Sequence, residues 1–364
     1  MTALRLPDDA PRALHTLLAD FVAGRKAALA RVVSMIEDGR AGADLLLAAL
    51  HPRVGRARRI GLTGPPGAGK STLTTRLAAM LREQGHTVGI VAVDPTSPFS
   101  GGALLGDRVR MESVALDPGV FIRSMATRGS LGGLAGTTRE VCDALDAFGL
   151  DRILIETVGV GQSELDIART ADTSLVVLVP EAGDSIQTLK AGLMEIADVF
   201  VVNKADRPGA DRLRNDIELM LGLRGGHAMK NVPAHHGVDL RRVGKAPAGV
   251  EHAEGGAERW GQPVLRAVGV TGDGLPELLA ALDAHAAYLA NSGELANRRR
   301  ARLRERVKDV VFQRLGRRLW GDAGTIAWID AQVDDLAEGR TTPYAVADAL
   351  LRRSGSLMTG EPAS

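Results

Sequence analysis

Eight residues constrain this chain more than any others. Gly64-Pro65-Pro66-Gly67-Ala68-Gly69-Lys70-Ser71 fits the pattern G-x-x-x-x-G-K-[ST]. Glycines at these positions let the backbone bend so that successive N–H groups point inward at phosphate oxygens. Lys70 adds a positive charge for the β- and γ-phosphates, and Ser71 offers a hydroxyl to Mg²⁺. Thr72 follows, and the helix that starts here adds its positive end to the same spot. The motif has this meaning only between a strand and a helix. An apolar run, Ile60–Thr63, precedes it and the helical stretch STLTTRLAAMLREQG follows. The expected ligand is a nucleoside triphosphate with Mg²⁺.

The rest of the chain reads as the frame for such a loop. From Arg58 onward, short apolar runs alternate with helical stretches. The runs are RRIGLTG, TVGIVAVDP, GVFIRSM, DRILIETVG, TSLVVLVP, DVFVVNKAD and PVLRAVGV, and most are apolar nearly throughout, as strands covered on both faces are. Helices are expected over about Ser71–Gln84, Leu131–Phe148, Asp184–Ile196, Asp211–Leu221 and Leu275–Leu289. The fold class is therefore α/β, a P-loop nucleotide-binding fold with a mostly parallel sheet flanked by helices. Before it, residues 1–55 show apolar positions at helical spacing (Leu14, Leu17, Leu18, Phe21, then Ala28, Val32, Val33, Ile36) and read as an N-terminal helical extension. The nucleotide-binding domain is expected over 56–290, with a Gly- and His-rich insertion around 224–261. A C-terminal helical arm is expected over 291–364. Its Arg-rich helix carries a stripe of Leu303, Val307, Val310, Val311 and Leu315, suited to packing on the core or on a second subunit.

Composition narrows the partners. Lys+Arg 45 against Asp+Glu 44 nearly cancel, and aromatics, at 3%, are not interleaved with basic residues. No nucleic-acid partner is expected from such a chain. Its single cysteine, Cys142, rules out a disulfide framework within one chain and metal sites built on Cys spacing. No apolar run approaches the roughly 20 residues of a membrane span, and the first residues carry acids rather than a signal-peptide core. A cytoplasmic setting is expected.

Mg²⁺ needs acids near the strand ends. Asp94 ends VGIVAVD, Glu156 ends RILIE, and Asp107 lies in GGALLGDRVRM. Base choice is written at the end of DVFVVNKAD, in Asn203-Lys204-Ala205-Asp206. A carboxylate there can accept from guanine N1–H and the 2-amino group together, where adenine offers neither. Sites of this type discriminate by roughly 10⁴ or more. Asn203 is expected on the other base edge and the Lys204 stem over the ring. A final purine loop is expected at Val268-Gly269-Val270, through backbone N–H groups to the guanine oxygen. Gly159 is followed by Val160, and the nearest glutamine is Gln162, so slow intrinsic hydrolysis with stimulation by a partner is expected.

The stretches GPPGAGKST, VAVDPTSPFSGGALLGDRVRM, FIRSMATRGSLGGLA, ETVGVGQSELDIA and GDSIQTLKAGLMEIADVFVVNKAD together resemble the MeaB/ArgK-type GTPases. The resemblance runs from about Arg58 to Asp206 and resumes at PVLRAVGVTGDGLPELLAAL. It implies a GTPase chaperone that protects and loads an adenosylcobalamin-dependent acyl-CoA mutase, such as methylmalonyl-CoA mutase. It also implies a homodimer formed by the C-terminal arm. By the same resemblance Lys70 and Ser71 serve phosphate and Mg²⁺, and Asp94, Asp107 and Glu156 surround the metal. Residues 181–190, with Asp184, Gln187 and Lys190, would form a switch that reports GTP state to the mutase. The pair Val268-Gly269 departs from the Ser-Ala often found there. Two other readings are weighed beside this one. A metal-insertion GTPase would need imidazole ligands, for which His227, His235, His236 and His252 in the insertion are the candidates. A protein kinase would need an acceptor-binding motif, and none is visible.

Overall fold

A computed structural model describes residues 4–95, 111–127, 133–157, 163–180, 192–224, 250–252 and 258–355. Among them, Met1–Arg299 and Arg300–Ser364 form two compact units.

The larger unit is built on seven strands: β1 (Arg58–Thr63), β2 (Val88–Pro95), β3 (Val120–Thr127), β4 (Arg152–Glu156), β5 (Thr173–Leu178), β6 (Val199–Val202) and β9 (Val264–Arg266). Their order is β3-β2-β4-β1-β5-β6-β9, and every pairing is parallel. All seven expected apolar runs are in this sheet. The pleat explains why they read as apolar throughout. Ile153 and Ile155 of β4 point into one core, while Leu154 between them points into the other. Likewise Val91 and Val93 of β2 face one side, and Ile90 and Ala92 the opposite side.

Helices cover both faces. On one lie α1 (Arg12–Val22), α2 (Lys26–Glu37), α3 (Ala43–Leu50), α5 (Gly133–Phe148) and α6 (Ser163–Thr170). The N-terminal helices bury Leu14, Leu17, Leu18 and Phe21, then Leu29, Val32, Val33 and Ile36, in the same core as Val141 and Leu145 of α5. The compact unit thus includes the N-terminal helices. The other face carries α4 (Lys70–Glu83) and α8 (Leu275–Asn291). Helix α7 (Ala210–Arg224) closes a third cluster with β6 and β9. The helix expected over Asp184–Ile196 is described only from 192 onward, with a short turn at Met194–Ile196. Within the insertion, β7 (Val250–His252) and β8 (Glu258–Trp260) pair antiparallel, a hairpin that the sequence had not suggested.

The Arg-rich helix α9 (Glu294–Trp320) belongs to the larger unit up to Arg299 and to the smaller one from Arg300; it has no buried residue, and Leu303, Val307 and Val311 are about half exposed or more. Two further helices there start on side-chain caps. Asp322 accepts from Thr325 N at 2.7 Å, and Thr342 accepts from Ala345 N at 3.2 Å just before Pro343. No described helix is long and apolar enough to cross a membrane.

Candidate functional site

The motif residues lie at the carboxyl edge of the sheet, where β1 stops and α4 starts. Parallel sheets bind ligands at this edge. Two glycines shape the turn by necessity. Gly64 has φ 135°, and a Cβ there would sit 2.0 Å from Val177 O of β5. Gly69 has φ 86°, and a Cβ there would sit 2.4 Å from Asn203 Nδ2. Between them, Gly67 has φ 75° with open space around it, so the loop's outer face is clear of its own chain. Lys70 and Ser71 open α4, and both are buried. The Lys70 ammonium donates to Gly64 O at 2.7 Å and Pro65 O at 2.9 Å, arching over the loop.

Register brings the acid to the hydroxyl. Glu156, the last residue of β4, pairs with Leu62 of β1, two positions before Gly64. Its Oε1 accepts from Ser71 Oγ at 2.5 Å, and both residues are buried. A hydroxyl and a carboxylate held together form an oxygen donor set of the kind hard cations such as Mg²⁺ take, and softer metals do not. Beyond Glu156 the pairing continues: Thr157 N donates to Leu62 O at 3.1 Å, and Thr157 Oγ1 to Thr63 Oγ1 at 3.1 Å. This threonine pair was not singled out from sequence, because nothing local marks it. On the other side of β4, Ala92 is level with Glu156, so the backbone of Asp94 lies two residues further toward the same edge. The Asp94 side chain, Asp107, and the stretch with Asp184, Gln187 and Lys190 lie outside the described residues.

Asn203 is tied into the chain at both ends of its amide. Its Nδ2 donates to Ala68 O at 2.8 Å, and its Oδ1 accepts from Gly269 N at 3.0 Å. Both ends of the amide are engaged within the chain. It braces the phosphate loop to the Val268–Val270 loop, and the bond to Ala68 uses one of the two Nδ2 hydrogens. The same contact revises the final purine loop. Val268 N donates to Asp273 O at 2.9 Å and Gly269 N to Asn203, so of the three N–H groups only that of Val270 has no acceptor among the described residues. Pro65, Pro66, Ala68 and Thr72 keep their motif positions, with Ala68 fully buried.

Lys204 has φ 55°, the only positive φ outside glycine among the described residues. That left-handed turn, closed by Arg207 N to Lys204 O at 3.0 Å, carries the chain outward at Asp206. Asp206 is exposed and has no acceptor bond from the described residues, while Lys204 is half-buried beside it. The site therefore combines a phosphate-shaped turn, a paired hydroxyl and carboxylate, and an open carboxylate beyond a braced loop.

The chain matches a family model described as methylmalonyl-CoA mutase-associated GTPase MeaB over residues 29–323. It belongs to the MeaB family. The family is one of GTPases, which implies GTP and GDP as its nucleotides. Among relatives, a Pyrococcus horikoshii protein, assigned to the GTPases by name only, is 42% identical over 330 residues, 91% of this chain and 95% of its own. The mouse protein named methylmalonic aciduria type A homolog, mitochondrial, is 30% identical over 361 residues, covering 95% of this chain and 81% of its own. A crystal structure of an LAO/AO transport system kinase superposes with a TM-score of 0.61 at 23% identity, over 94% of this chain and 98% of that one. That likeness establishes the P-loop fold alone.

Cys142 is fully buried, and burial pushes its thiol up to about 12. Of the insertion's histidines, His227, His235 and His236 lie outside the described residues, as does the side chain of His252.

Proposed function

We propose that this chain is a GTP-binding, slowly hydrolysing chaperone that gates adenosylcobalamin loading into, and protects, a B12-dependent acyl-CoA mutase such as methylmalonyl-CoA mutase. The observation that carries the nucleotide half is the Asn203 brace, which ties the triphosphate loop to the base loop and leaves the Asp206 carboxylate open. The mutase half is supported by the family's description and by the mouse relative.

On GTP binding, Lys70 would exchange the carbonyls of Gly64 and Pro65 for the β- and γ-phosphate oxygens. The inward N–H groups of Gly67 to Ser71 and the start of α4 would hold the rest of the chain of phosphates. Ser71 and Glu156, with Asp94 and Asp107, would hold Mg²⁺, which supplies Lewis-acid stabilisation of the phosphoryl oxygens. Asp206 would accept from guanine N1–H and the 2-amino group, with the Lys204 stem over the ring. No glutamine follows Gly159 directly, so the attacking water is poorly positioned until a partner completes the site. Asp184, Gln187 and Lys190 would carry the GTP state to the mutase, and the C-terminal arm would join two chains in a cytoplasmic homodimer.

Pull-down from the native cell with a GTP analogue and with GDP tests the partner. A cobalamin enzyme should co-purify in a nucleotide-dependent manner, and its absence in both states would remove the chaperone reading. Multiple turnovers per second by the isolated protein would contradict slow hydrolysis. Light scattering at micromolar concentration should return a dimer mass.

A further inference from the structure

Arg76 stands one helical turn beyond Thr72 on α4, on the same face. That face runs beneath the base loop: a Cβ on Gly269 would lie 3.4 Å from Thr72 Cγ2 and 3.2 Å from Leu73 Cδ2. Arg76 is exposed, and its guanidinium reaches across the surface to the loop. Its Nη2 donates to Val270 O at 2.6 Å, across 194 positions of sequence. Charge-assisted bonds of this length are the stronger kind.

The position of this bond matters more than its strength. Gly269 N is pinned by Asn203, which fixes the peptide between Val268 and Gly269. Val270 O is pinned by Arg76, which fixes the peptide between Val270 and Thr271. The peptide between these two carries the Val270 N–H, which has no acceptor among the described residues. Below it the loop closes on itself, through Val268 N to Asp273 O at 2.9 Å and Gly272 N to Val268 O at 2.8 Å. A loop with glycine at 269 has more backbone freedom than one with a side chain there. Two flanking pins remove that freedom where a donor must keep one direction.

We propose that Arg76 is a positioning residue for base recognition: by holding Val270 O it aims the Val270 N–H at the oxygen on C6 of guanine. The proposal rests on the guanine reading of this edge, and it divides the labour there. Asp206 reads N1–H and the 2-amino group, while the Arg76-held loop reads the 6-oxygen.

Two nucleotide analogues separate these contacts. 6-Thioguanosine diphosphate keeps N1–H and the 2-amino group but replaces the 6-oxygen with a weak acceptor. Inosine diphosphate keeps the 6-oxygen and N1–H but lacks the 2-amino group. Binding of GDP and both analogues, with Mg²⁺, is measured on the full chain and on Arg76→Ala and Arg76→Lys. For Arg76→Ala the expected result is a loss of GDP affinity of about 10-fold. The preference for GDP over the thio analogue should collapse toward unity, while the preference for GDP over the inosine nucleotide stays as in the unsubstituted chain. Arg76→Lys, which keeps a charge but loses the planar fork, should recover part of the thio discrimination. A general loosening of the fold would weaken all three nucleotides in parallel, and that outcome overturns the positioning role. An unchanged thio preference in Arg76→Ala overturns it as well. Failure of the guanine reading itself shows elsewhere, as equal binding of GDP and ADP by the unsubstituted chain.

Discussion

The two edges of one sheet use charge in opposite ways. At the amino edge, three buried acids are held from within. Asp146, fully buried, accepts from Gly55 N at 2.8 Å, Arg56 N at 3.0 Å and Ala57 N at 2.9 Å, and pairs with Arg59 at 3.1 Å. Asp172 pairs with Arg299 at 2.8 Å, whose guanidinium also reaches the carbonyls of Gly55 and Ala57. Asp198 accepts from Ser174 N at 2.9 Å and pairs with Arg298 at 3.1 Å, with His285 Nε2 3.3 Å away. At the carboxyl edge, Lys70 rests on carbonyls of its own loop and Asp206 opens to solvent. Buried acids with several internal partners hold a fold, whereas a carboxylate left open at a strand end, as at Asp206, is available to a ligand. The comparison assigns roles without reference to residue type, since aspartate serves at both edges.

Substitutions at the two edges should therefore fail differently. The largest effect is expected for Asp146→Ala, which strands three backbone donors and leaves the buried Arg59 guanidinium with Asp143 as its remaining acid. Stability should fall by about 3–5 kcal/mol in urea titration, while the fraction still folded keeps its GDP-over-ADP preference. A loss of base preference without a loss of stability would break the division between edges. Lys70→Ala should do the reverse. GTP affinity should drop by roughly 100-fold in equilibrium titration, about the loss of one well-placed charged contact, with a smaller loss of stability than Asp146→Ala.

Arg298→Ala sharpens the picture at the amino edge and should cost about 1.5–3 kcal/mol at neutral pH, measured by thermal or urea unfolding. Burial pushes the Asp198 carboxyl up, and the His285 imidazole and Arg298 guanidinium outweigh it, holding the group below the usual carboxylate range. A depressed folded value contributes stability that is present above the unfolded value of about 4 and is lost as pH falls through the folded one. Removing Arg298 raises the folded value. The variant's acid unfolding should thus begin at higher pH than that of the unsubstituted chain, with no change in nucleotide selectivity.

Much of this was legible in the sequence where the signal is local. Strands covered on both faces leave unbroken apolar runs, so all seven were visible, and the phosphate loop carries its own flanks. The same local reading placed Asp206 and Glu156 at strand ends. What it missed depends on register and on distance along the chain. Asn203 reads as a base contact in a tetrapeptide, and only the approach of Ala68 and Gly269 from 135 and 66 positions away shows that it is also a brace. Asp146, Asp172 and Asp198 look like ordinary helix or strand-start acids until Arg59, Arg298 and Arg299 arrive from other elements. The helix Ser163–Thr170 was not anticipated, since eight residues give little periodicity to read. The stripe on α9 was expected to pack on the core or on a second subunit, and Leu303, Val307 and Val311 stand about half exposed or more.

The account turns on a single open carboxylate choosing the base. Replacing Asp206 with asparagine puts an amide donor opposite the 2-position, where it repels a 2-amino group and meets a 2-oxo group. Titration of Asp206→Asn with GDP and with xanthosine diphosphate, in Mg²⁺, is the most direct measurement. Xanthosine diphosphate should bind more tightly than GDP, reversing the order seen in the unsubstituted chain. An Asp206→Asn chain that still prefers GDP would contradict the assignment of this edge.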